Sequence, residues 1–141
     1  MKKLLLVALM FAITPSFAHK TDHEKVPAAV KKTFHDNFPE IKDGNWEKEH
    51  GNYEITFKQD GQKVSATYDK NGTWLETEKT ISTKALPAAA NTYIEKNCKG
   101  NLVHAASVIK KANGETNYEA RIKRKDYIFD AEGKFLKIEK D

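Results

Sequence analysis

Five histidines and one cysteine are the side chains here best suited to hold a metal or act as a nucleophile, and their spacing frames neither chemistry. His19 and His23 lie close together near the amino-terminal end, where a freed α-amine and two imidazoles could hold copper or zinc. No packed element adjoins them to fix the ligand geometry. His35, His50 and His104 are too scattered for a closed tetrahedral site. Cys98 has no second cysteine to pair with, and no Gly-x-Ser-x-Gly, His-Glu-x-x-His or glycine-rich phosphate loop is present. Carboxylates do recur in pairs, Glu47 with Glu49 and Glu76 with Glu78, at the spacing that puts both on one side of a strand. An acid and a base could be arranged so, but a solvated strand reads the same way. Asp69-Lys70-Asn71-Gly72 is similar to the start of a calcium loop without its later acidic ligands, and a hairpin turn accounts for it. The residues therefore predict no enzyme, no cofactor and no metal.

Recognition chemistry is better represented. Trp46 alternates with Lys48 and His50, Trp74 with Glu76 and Glu78, and Phe135 with Lys137, so each aromatic shares strand parity with charged neighbours. If those positions face water, they are the anchors that dominate protein interfaces; if they face a core, they are ordinary packing. Charge divides along the chain as well. Residues 19–81 hold ten basic and twelve acidic side chains, whereas residues 82–141 hold twelve and eight. On the polar side of the strands Glu54 and Lys58 contrast with Arg121 and Lys123, continued by Arg124 and Lys125, a dipolar surface able to orient a partner. Trp46, Trp74, Phe135, Glu54, Lys58, Arg121 and Lys123 are thus the candidate partner-binding residues.

The elements that position these residues begin after an export leader. Lys2-Lys3, the apolar run Leu4–Ile13 and the ending Ser16-Phe17-Ala18 have the layout of a secretory signal peptide cleaved after Ala18. The run is too short to span a bilayer, so no stable membrane insertion is expected after cleavage. Losing Lys2 and Lys3 lowers the formal charge from +4 to +2, too little for a nucleic-acid binder. Residues 19–25 form an amino-terminal segment, and what remains is one domain's length, expected to be monomeric.

That domain says the same thing twice. Val26-Pro27-Ala28-Ala29 returns as Leu86-Pro87-Ala88-Ala89, and Tyr68-Asp69-Lys70-Asn71-Gly72-Thr73-Trp74-Leu75 as Phe129-Asp130-Ala131-Glu132-Gly133-Lys134-Phe135-Leu136. Val26, Val30, Phe34 and Phe38 mark a helical stripe, repeated by Leu86, Ala90, Ile94 and Cys98, so Cys98 reads as a small buried core residue. The period then changes to two: Tyr53, Ile55 and Phe57 alternate with polar residues, and so do Tyr118, Ala120 and Ile122. Helices are offset by 60 residues, the tyrosine strands by 65 and the Asp-x-x-Gly turns by 61. The second copy should therefore have a longer first strand or turn near His104 to Glu115 and a tighter hairpin at Lys123 to Asp126. The expected fold is α+β: two tandem α-β-β-β-β repeats, 26–81 and 82–141, forming one continuous antiparallel sheet with both helices on one face. Joining the meanders hides one exposed edge of each.

With Val26-Pro27, Phe38-Pro39, Trp46, Tyr53, Asp69 with Gly72, and Trp74 in place, the chain resembles the periplasmic PepSY-like family, whose fold is related to the beta-lactamase inhibitor protein. The second copy departs from the pattern, with Cys98-Lys99 in place of Phe-Pro and no evident counterpart of Trp46. The resemblance implies a non-enzymatic, periplasmic or secreted module that grips an envelope protein or peptide with its helix-free sheet face. The rival expectation is a periplasmic carrier of a small ligand or metal.

Overall fold

The computed structural model describes residues 25–140; the leader, its cleavage point and the His19/His23 pair lie outside the described residues. Helix α1 (Ala28–Asn37) is followed by strands β1 (Asn45–Glu49), β2 (Asn52–Gln59), β3 (Gln62–Tyr68) and β4 (Trp74–Ile81). A short 3-10 turn (Thr83–Ala85) leads to α2 (Ala88–Asn97), then β5 (Val103–Lys111), β6 (Thr116–Ile122), β7 (Lys125–Phe129) and β8 (Phe135–Lys140). The eight strands make one antiparallel sheet in chain order, the two meanders joining where β4 pairs with β5.

Each helix starts at a proline that caps it without needing an N–H, Pro27 and Pro87, and each ends where the backbone N–H of Phe38 or Cys98 bonds the carbonyl four residues back. Val30 and Phe34 of α1 are buried against Trp46, Tyr53, Ile55, Phe57, Val64, Ala66 and Tyr68. Ala90 and Ile94 of α2 are buried against Ala106, Ala120, Ile122 and Phe129. Cross-strand pairing puts all these sheet residues on one side: Trp46 opposes Ile55, Ile55 opposes Ala66, and beyond the seam Ala106 opposes Ala120. Both helices therefore cover the same face and leave the other open.

The turns explain the offsets. His50-Gly51 and Asp60-Gly61 close the first two hairpins with both residues at positive φ. The longer spacing in the second copy comes from β5, nine residues against five in β1, and from a wider turn closed by the Lys111 N–H to the Glu115 carbonyl. The expected tightening at Lys123 to Asp126 takes a different form. Lys123-Arg124 is a two-residue connection, like Asp60-Gly61, and the lost length comes from the strands on either side of it: β6 ends sooner after Tyr118 than β2 does after Tyr53, and β7 has five residues against seven in β3.

The Asp-x-x-Gly turns are copies down to their hydrogen bonds. Asp69 Oδ1 accepts from the N–H groups of Asn71 and Thr73 at 2.8 and 2.9 Å, and Asp130 Oδ1 accepts from Glu132 and Lys134 at 3.1 and 2.8 Å. Those bonds, Thr73 foremost, hold the Asp69 carboxyl below its ordinary range. The carboxylate thus closes the turn. Gly72 and Gly133 have positive φ and also lie against a helix start: a methyl group would come within 2.7 Å of the Ala29 carbonyl oxygen or of Pro87 Cβ.

Candidate functional site

Strand parity fails at two matching places, and those places decide the aromatic candidates. Tyr68 pairs with Trp74 while Thr67 pairs with Glu76, so Leu75 is an extra residue in a β-bulge; likewise Phe129 pairs with Phe135 while Ile128 pairs with Lys137, with Leu136 extra. Each bulge turns the aromatic to the helix side while its acidic or basic neighbour stays on the open side. Trp74 packs against the core under α1 and Phe135 against the core under α2. Trp74 Nε1–H donates to Thr77 Oγ1 at 2.9 Å. Trp46 keeps parity with Lys48, but on the helix side, where it is 2% exposed and edge-on to Phe34; Lys48 lies at the strand end over the Tyr53 ring. The expectation that Trp46, Trp74 and Phe135 contact a partner on the helix-free face is therefore corrected: all three serve the core.

The open face is a polar sheet surface with a buried floor. Pairing carries it from Glu47 through Glu54 and Thr67 to Glu76, and from Thr56 and Ser65 to Glu78, Ile109 and Asn117. A further row runs from Thr80 through Ser107, Glu119 and Ile128 to Lys137. Ile109 and Ile128 are 8% and 3% exposed, and Ser107, Asn117 and Asp126 are buried too, although both helices lie on the other side. Curvature explains this. Glu76 on β4 feels the charges of Lys137 and Glu139 on β8, which a flat sheet would hold four strand spacings, roughly 19 Å, away. β8 is thus drawn towards β4 on the open side, which makes that face concave.

Carboxylates dominate this trough. Burial raises the Glu119 carboxyl to about 8, with Glu78, Asp126 and Glu139 adding to the rise and Arg121 opposing it. Burial likewise raises Glu76, against the pull of Lys111 and Lys137, and raises Glu54, with Glu78 and Glu47 adding and a bond from Ser65 opposing. Among the described residues, ion pairs within 4 Å reach Asp36, Glu49, Glu115, Asp126 and Glu139 but none of Glu54, Glu76, Glu78 and Glu119. A shallow depression of about 160 Å³ adjoins them, lined by Glu49, His50, Asn52, Glu54, Thr67 and Glu76.

The remaining candidates divide. Glu54 lies on the open face, and Lys58 lies there too, opposite Lys63 and exposed. Arg121 also faces this side, but its guanidinium is held in a two-pronged bond to Asp126, Nε–Oδ1 2.7 Å and Nη2–Oδ2 2.8 Å. Lys123 sits in the β6–β7 turn at positive φ rather than on the sheet surface. The expected basic half of a dipolar surface therefore does not form on the sheet: its lysines go to turns and edges, and the open face stays acidic across the seam. Sequence reasoning missed Glu78, Ser107 and Glu119 as neighbours. Alternation gave their side of the strand, but only the β4–β5 register brings the two repeats' polar rows together. Cys98 is buried at the end of α2 beside the Tyr127 hydroxyl, as a core residue.

A family model described as "Putative beta-lactamase-inhibitor-like, PepSY-like" matches residues 16–67 and again residues 51–137. The chain belongs to this PepSY-like family. Solved structures share the fold at low identity. A DUF2874 family protein from Bacteroides ovatus is 16% identical, with 81% of this chain and 86% of that chain covered at a TM-score of 0.71. A protein from Bacteroides eggerthii described among "putative periplasmic proteins" is 14% identical, with 82% and 88% covered at 0.72. A BLIP-like protein from Bacteroides fragilis is 21% identical, with 81% and 86% covered at 0.66. No curated protein sequence matches this chain. The PepSY-like motifs quoted from the sequence fall on the cap of α1, the core and the Asp-x-x-Gly turn, so they specify the platform and leave the open face to vary.

Proposed function

We propose that this PepSY-like protein is an exported, non-catalytic module that binds a polypeptide in the concave, helix-free face of its sheet. The observation that carries the reading is a buried apolar floor, Ile109 and Ile128, on the side away from both helices, ringed by carboxylates that burial has already partly desolvated. Such a surface is preorganised: much of the cost of drying its polar groups is met by the fold before a partner arrives. The family's inhibitor-like description and the BLIP-like neighbour support a binding role. Glu54 and Lys58 are contacts in this reading, with Arg121 acting through its Asp126 pair and Lys123 at the rim.

Export rests on the leader with cleavage after Ala18, and the periplasmic description of the B. eggerthii neighbour supports the compartment. No described helix is long and apolar enough to cross a membrane. Mass spectrometry of the exported protein tests the leader, with His19 expected at the amino terminus. Binding is tested by retention of envelope polypeptides on immobilised protein. Thr56→Trp and Thr67→Arg, both on the open face, are expected to abolish retention, and Lys96→Glu on the exposed side of α2 to preserve it. Equal retention by all three overturns the reading.

A further inference from the structure

We infer that the protein self-associates through β8: two copies pair their β8 strands antiparallel about a two-fold axis at Ile138, joining two sheets edge to edge. Such a dimer is independent of the proposed docking face and departs from the monomer expected on sequence grounds.

The duplication itself identifies the edge. β8 follows the second Asp-x-x-Gly turn as β4 follows the first, and β4 uses its outer edge to pair with β5, from Glu76 opposite Lys111 to Ile81 opposite Ala106. Among the described residues, the same edge of β8 carries no strand. Its free backbone groups follow from the register. The two-residue turn Lys123-Arg124 makes Ile122 and Lys125 a hydrogen-bonded pair, so alternation turns the backbones of Asp126 and Ile128 towards Glu139 and Lys137. The N–H and C=O of Ile138 then point outward. The first repeat shows such an edge in use: the Leu75 carbonyl, counterpart of that of Leu136, accepts from the Ala112 N–H of the second repeat at 2.8 Å.

Side chains single out the same edge. Leu136 and Ile138 are 47% and 42% exposed, large apolar groups on a strand that should be protected against stray pairing. At the opposite edge β1 has five residues, of which Glu47, Lys48 and Glu49 are charged, and its Trp46 is buried. One edge is blunted and the other is not.

Charge selects the occupant. With Ile138 opposite its own copy, Lys137 of each chain opposes Glu139 of the other, so the ion pair within each strand becomes part of a ring of four alternating charges on the open face. The two Ile138 side chains meet on the helix side, where each lies opposite Tyr127 of its own chain. A slide of two residues either way sets Lys137 against Lys137 or Glu139 against Glu139, and a slide of one exchanges the faces. Head-to-tail growth is disfavoured too. Placing β8 on β1 of another copy, in the register β4 uses on β5, brings Glu139 opposite Glu49. The closed two-fold pair is the arrangement in which every charge on β8 described here meets its opposite.

Sedimentation equilibrium of the mature protein from about 10 µM to about 1 mM tests this. The expected result is a monomer–dimer equilibrium that Lys137→Glu or Glu139→Lys weakens at least about tenfold, because by symmetry each substitution makes both cross-chain pairs repulsive. Mixing the two variants in equal amounts should restore the dimer, since one then carries two acids where the other carries two lysines. The double variant should dimerise like the unaltered chain. Thermal unfolding of each variant establishes that it is folded. A monomer at every concentration, a dimer indifferent to the charge reversals, a mixture no more associated than its components, or assemblies that grow beyond two copies overturns the inference.

Discussion

The two repeats fold to one backbone and fill it differently. Under α1 the core is built from rings: Phe34 lies 5.6 Å from Trp46 and 5.5 Å from Phe57, both edge-on, and Phe38 lies 4.8 Å from Phe57. Under α2 the corresponding helix positions are Ile94 and Cys98, and the rings move to the far end, where Tyr93 stacks on Phe135 at 4.5 Å and meets Phe129 edge-on. The register shows where the volume went. One row across three strands reads Trp46, Ile55, Ala66 in the first repeat and Ala106, Ala120, Tyr127 in the second. Ala106 is thus the counterpart of Trp46, and Tyr127 reaches towards Cys98 to occupy space that Phe38 fills in the first copy. A close-packed interior conserves total volume along a row while letting individual positions trade it.

Trp46→Ala is the strongest way to break this comparison. It leaves a large cavity beside Phe34 and Tyr68 and should cost about 3–5 kcal/mol, whereas Ala106→Gly at the matching position should cost about 1 kcal/mol; urea unfolding of both variants checks the difference.

The turn glycines come next. Gly72→Ala and Gly133→Ala meet both a positive φ and a helix start, and each should cost about 2–3 kcal/mol. Gly114→Ala, with the same sign of φ but nothing within 4 Å, should cost about 1 kcal/mol. Equal costs at all three would mean that contact with the helices adds nothing.

A smaller effect separates the open faces. The Glu119 carboxyl is raised from 4.5 to about 8, so the folded protein holds a proton that the unfolded chain has released. Stability should therefore fall as pH rises through that window, with Glu54 and Glu76 contributing in the same direction. Glu119→Gln reduces this slope and should stabilise the protein above about pH 8 by at most about 2 kcal/mol, after allowing for partial exposure. Thermal unfolding at several pH values measures it.

A last pair of variants sharpens the comparison instead. Tyr68 and Phe129 are fully buried equivalents, and the Tyr68 hydroxyl is enclosed without a hydrogen bond, Asn37 lying close enough to influence it but outside bonding geometry. Tyr68→Phe copies the second repeat and should be neutral or stabilising by up to about 1 kcal/mol, while Phe129→Tyr should destabilise by about 1–3 kcal/mol.

The architecture was legible because both repeats state their helical stripes, two-residue periods and Asp-x-x-Gly turns openly, and because a helix and a strand alternate their side chains with different periods. The single sheet with both helices on one face follows from those patterns plus the need to bury two edges. The aromatic assignments were not legible for a local reason. An extra residue at Leu75 and again at Leu136 reverses parity, and a bulge leaves no mark on alternation except the position of its neighbours' partners. Trp46 needed no bulge: its parity with Lys48 is real, but a strand end lets a lysine reach water from the core side.

Amino-acid order alone determined the duplicated elements and the polar side of the strands without bulges, since these depend on neighbours within a turn or a hairpin. Folding in three dimensions decided which rows meet across the β4–β5 seam and how far the sheet curls. Both depend on register and twist summed over eight strands, and it is that sum which sets Glu78 of the first repeat on the same open face as Ser107 and Glu119 of the second.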